Sequence, residues 1–64
     1  MARQPSKAEA TAAVVRVNRA QRVLNSGDAL SPGERAQVKR DVDLLAAYTD
    51  DDPQRSREIG EALI

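Results

Sequence analysis

Three helix starts punctuate this chain, and they leave little room for anything but helices. Ser6-Lys7-Ala8-Glu9 and Ser31-Pro32-Gly33-Glu34 each place a serine three residues ahead of a glutamate. In this capping box the serine hydroxyl accepts from the amide at the third helical position, and the glutamate carboxylate accepts from the serine's own amide. Two donors that a helix start leaves unpaired are thereby satisfied. The second box adds Pro32 at the first helical position, where a missing N–H costs nothing. Asp52-Pro53 repeats the order of cap and then proline, and Asp50 and Asp51 add negative charge near the positive end of the helix dipole.

Helical spacing follows each start. Ala10, Ala13, Val14, Val17, Ala20 and Leu24 recur at intervals of three and four until Asn25-Ser26-Gly27, where two residues tolerant of the left-handed conformation offer a stop. The first helix is predicted over residues 7–25. In the second, over 32–48, Val38, Val42, Leu45 and Tyr48 mark the inward stripe and Leu44 lies at its flank. Ile59, Ala62 and Leu63 give the third, over 53–63, a short apolar face, and Gly60 weakens it by about 1 kcal/mol relative to alanine. No segment alternates with period two. The sequence therefore predicts an all-α fold, an antiparallel helical hairpin with a short third helix folded across it or extending from it. One domain spans residues 6–64, and residues 1–5 are expected to be flexible.

Support for such a fold is the difficulty. The chain has 64 residues, no Phe or Trp and a single Tyr, so the apolar area available to a core is small. Domains of this size usually need a disulfide, a metal or a second chain. With no Cys and no His, a disulfide and an ordinary zinc site are both excluded, which leaves oligomerisation or a partner. The N-terminal residues lack an apolar signal region, and no run of about 18 apolar residues could cross a bilayer. The expected setting is cytoplasmic, or inside a particle assembled within the cell, without membrane contact.

Chemistry has little to stand on. Counting from Asp50, the residues Asp52, Gln54, Ser56, Glu58 and Glu61 fall at the oxygen-ligand positions of a calcium-binding loop. That loop needs a glycine where this chain has Arg55, and Arg57 adds a second opposing charge; the segment reads as an acidic helix cap. With no histidine, no nucleophile beside an activating base and only isolated glycines, we expect no catalysis, no cofactor, no metal and no small-molecule substrate.

Charge and stray apolar residues point instead to binding. The net charge is zero, yet residues 1–27 carry five basic side chains against one acidic, and residues 28–64 five basic against nine acidic. Arg16, Arg19 and Arg22 project from one side of the first helix, with Val15 and Val23 close by; arginine with aliphatic surface is typical of protein interfaces. Leu44 beside Tyr48, and Leu63-Ile64 at the end, supply further apolar contacts. These nine residues are the candidate contact set. The expected function is a non-catalytic protein-interaction module: a homo-oligomer, or a small subunit, adaptor or stabilising component of a larger assembly, for which a viral particle is one setting. The alternative is a small DNA- or RNA-associated regulator that places the arginines of the first helix on phosphates.

Overall fold

The computed structural model describes residues 4–63, and three helices make up most of them: α1 over Lys7–Asn25, α2 over Pro32–Thr49 and α3 over Pro53–Ala62. There is no strand among the described residues. The three predicted helices are present, with ends displaced by at most one residue. Residues 1–3, which carry most of the expected flexible N-terminus, lie outside the described residues, as does Ile64.

Both capping boxes form. Ser6 Oγ accepts from the Glu9 amide at 3.1 Å while Glu9 Oε1 accepts from the Ser6 amide at 3.2 Å. The Ser31 and Glu34 pair repeats this at 3.2 and 3.0 Å. Hydrogen bonding to the Ser31 amide also holds the Glu34 carboxyl below its usual range. α1 ends through Gly27 at φ +89°, with the Asp28 amide donating back to the Val23 carbonyl at 3.1 Å.

The turn between α2 and α3 is tighter. The Asp52 amide donates to the Thr49 carbonyl at 3.0 Å across Asp50 (φ −51°, ψ 116°) and Asp51 (φ 55°). Those angles describe a type II turn, whose third position favours glycine; here an aspartate occupies it.

α1 and α2 pack as a hairpin around Ala10, Ala13, Val14, Leu45 and Tyr48, with Val17, Leu44 and Ile59 at the margin of this cluster. Alanine at three buried positions of α1, Ala10, Ala13 and Ala20, lets the two helices approach closely. α3 folds back over the hairpin: Ile59 packs against the core, and Asn18 Nδ2 donates to the Ala62 carbonyl at 3.0 Å. No residue of α3 is buried, so the helix sits on the hairpin without entering it.

The inward face of α2 differs from the predicted stripe. Val42 is exposed, and Asp41 faces α1 in its place. Positions 37, 41, 45 and 48 span a narrower arc at 100° per residue than a stripe drawn through Val42, so the helix turns its tightest row inward although that row contains a charge. Leu24, on the predicted stripe of α1, is also exposed. Among the described residues no helix is long and apolar enough to cross a membrane.

Candidate functional site

Among the described residues the one buried charged group is Asp41, whose side chain is 1% exposed in the seam between α1 and α2. Arg16 reaches it from α1 with two nitrogens: Nε donates to Oδ1 at 3.1 Å and to Oδ2 at 3.0 Å, and a terminal nitrogen donates to Oδ1 at 2.8 Å. Gln37, one turn before Asp41, donates a further bond to Oδ1 at 3.1 Å. Arg16 bonding, aided by Gln37, holds the Asp41 carboxyl below its usual range against the opposing effect of burial, and the same contact raises the Arg16 guanidinium. This forked geometry makes the pair a register pin between the two long helices.

Arg16 is therefore committed inside the chain, although 43% of its side chain remains exposed. Arg19 and Arg22 are exposed and form no ion pair among the described residues. Val15 is 53% exposed on the outer face of α1 and Val23 is half-buried.

The apolar contacts expected elsewhere divide. Tyr48 is only 5% exposed and belongs to the core, as its place on the inward stripe predicts, and Leu44 packs against that core, so neither offers the contact surface expected of it. Periodicity on α2 was the reason: with Asp41 turned inward, Leu44 rotates toward α1 and Val42 rotates away. Leu63 is exposed as expected, and Ile64 lies outside the described residues.

Residues the sequence reading placed in the core thus appear on the surface. Val42 lines a shallow apolar groove between α2 and α3 together with Ala46, Thr49, Ser56, Gly60 and Leu63. The groove is open because its walls are small: a Cβ added at Gly60 would meet nothing within 4 Å. On the other flank of α3, Val14 and Val15 line a second groove with Thr11, Glu58 and Ile59.

The acidic corner serves α3. Asp52 Oδ1 accepts from the amides of Gln54 and Arg55, both at 3.1 Å, and its second oxygen lies 3.4 Å from Arg55 Nε. Arg55 in turn sits 4.7 Å from the centroid of the Tyr48 ring and donates to the Tyr48 carbonyl at 3.3 Å. Residues 53–62, which would have to unwind to form a calcium loop, are helical. Among the described residues no cluster of three His, Cys, Asp or Glu side chains is arranged to hold a metal ion.

Geometry and charge therefore offer two kinds of feature: an internal ion pair that sets helix register, and exposed apolar strips flanked by charges. Compared with protein-family models, curated proteins and solved structures, the chain matches none.

Proposed function

We propose that this chain is a non-catalytic protein-interaction module whose apolar surface is covered by another protein, in the first instance a second copy of itself. It would act as a homo-oligomer or as a small subunit of a larger assembly. One observation carries the reading. The buried cluster consists of two alanines, Ala10 and Ala13, with Val14, Leu45 and Tyr48, while Val15, Leu24, Val42 and Leu63, all large and aliphatic, stand exposed on the same small molecule. Fully burying a side chain of that kind is worth about 1.5–3 kcal/mol, so covering the roughly half that remains exposed is worth about half of that, and total stability at this size is only a few kcal/mol. Covering two or three of them is therefore comparable with the whole stability of the fold. Sedimentation equilibrium over a wide concentration range tests this directly. Self-association should give a mass above 6.9 kDa that rises with concentration.

A second reading is favoured by Arg19 and Arg22, which are exposed and free of ion pairs among the described residues. They could rest on nucleic-acid phosphates. Binding would then fall linearly in log salt, and Arg19→Ala and Arg22→Ala would each lower that slope by about one. Apolar association tolerates salt, so the two readings separate in one titration.

A further inference from the structure

Five residues of α2 and its C-cap fall along one outward stripe: Arg35, Lys39, Val42, Ala46 and Asp50, spaced by four, three, four and four. Val42, at the middle, is 51% exposed, and Ala46 beside it opens onto the groove walled by Ser56, Gly60 and Leu63. Lys39 is already paired with Asp43 at 3.2 Å. Arg35 and Asp50 form no ion pair or side-chain hydrogen bond among the described residues.

These two charges sit at opposite ends of α2, and Asp50 also lies close to the start of α3. Arg35 is in the first turn region of α2, near the positive end of the dipole, and Asp50 is its C-cap, near the negative end, where the last turn holds no basic residue. Arg35 lies about 10 Å before Val42 along the axis and Asp50 about 12 Å after it, so the two are nearly equidistant from the apolar centre.

We infer that α2 pairs antiparallel with α2 of a second copy, about a two-fold axis beside Val42. This rests on the self-association reading above. In that arrangement the two Val42 side chains meet at the centre, and Arg35 of each copy faces Asp50 of the other, so each ion pair occurs twice. Arg35, at the positive end of its own α2, thereby comes beside the negative end of its neighbour's. Small residues at Ala46 and Gly60 admit the close approach, and the groove receives the second copy's Val42 face. The same stripe explains why α2 can expose Val42 while burying Asp41: the valine is kept for the second copy.

Charge exchange tests the geometry and not merely the stickiness of the surface. Sedimentation equilibrium is run on the full chain and on Val42→Asp, Arg35→Glu, Asp50→Arg and the Arg35→Glu/Asp50→Arg double variant, with circular dichroism confirming helix content. All these positions are exposed, so the helices should persist. Val42→Asp is expected to weaken the dimer at least tenfold, since it places two carboxylates together at the centre. Each single charge reversal should weaken it about fivefold, and the double variant should return to within about twofold of the parent. If the parent chain associates but these variants leave its dissociation constant unchanged, or the double variant is weaker than either single one, the antiparallel α2 pairing is wrong while the self-association reading stands. If the parent chain stays a monomer at every concentration, both are overturned.

Discussion

The seam between α1 and α2 and the seat of α3 are held by different means, although they adjoin. The seam is closed on itself: alanines allow close approach, Leu45 and Tyr48 fill the space, and Asp41 is bonded by Arg16 and Gln37, with no buried side-chain polar atom left unpaired among the described residues. α3 has no buried residue and is held by its edges, through Ile59, the Arg55 contact with Tyr48 and the Asn18 bond to Ala62. What the contrast teaches is that a short chain can complete one interface and leave the next open. The open one is flanked by grooves on both sides of α3, and it is the surface that the proposed self-association would cover.

The contrast can be broken most severely at its shared residue. Tyr48 fills the seam and also carries Arg55, so Tyr48→Ala should cost about 3–5 kcal/mol, comparable with the entire stability of a domain this size. Loss of cooperative melting by circular dichroism is the expected outcome.

Next comes the ion pair, whose two halves should behave unequally. Arg16→Met leaves the Asp41 carboxylate buried without its main partner and should destabilise strongly. Asp41→Leu frees a partly exposed arginine that can turn to water and fills the seam with apolar volume, so it should be near neutral or stabilising. Denaturant titrations of the two variants check the order. The pH dependence follows from the same contact. Because Asp41 is held below its ordinary value when folded, the unfolded chain takes up the proton first as pH falls. Its contribution is complete above the ordinary aspartate range and is lost below about pH 4. Asp41→Leu should flatten that acid-side decline, leaving the part due to Glu34, whose carboxyl is lowered in the same direction.

At the seat of α3 the effects are smaller. Ile59→Ala removes the main apolar anchor of a half-buried site and should cost about 1–2 kcal/mol, with helix content falling before the hairpin melts. Smallest of all, Asp51→Gly relieves a left-handed aspartate in the type II turn and should stabilise by about 0.5–1 kcal/mol, raising the melting temperature by a few degrees.

Much of this was legible in the sequence because caps and prolines act locally. Ser6, Ser31 and Asp52 each form the hydrogen bonds that their spacing implies, and the helix ends follow. The facing of α2 was not legible, since reading a stripe from apolar residues alone passes over Asp41. A signal was present: Asp41 stands three residues after Val38 and four before Leu45, and Arg16 stands three after Ala13, so a charge of each sign occupies the inner edge of a facing helix. Pairing them would have turned Val42 outward and Leu44 inward. Helix 3's return onto the hairpin depends on contacts between helices, Asn18 with the distant Ala62 carbonyl and Arg55 with Tyr48 across the turn, and no periodic pattern encodes them.

The central claim is that a second protein surface completes this fold. Its most direct test is the melting temperature of the unmodified chain, followed by circular dichroism across a hundredfold range of concentration. Self-association that stabilises the native state requires the midpoint to rise steadily with concentration. A sharp melt at one unchanging temperature across that range would contradict the claim, because the small core would then suffice alone.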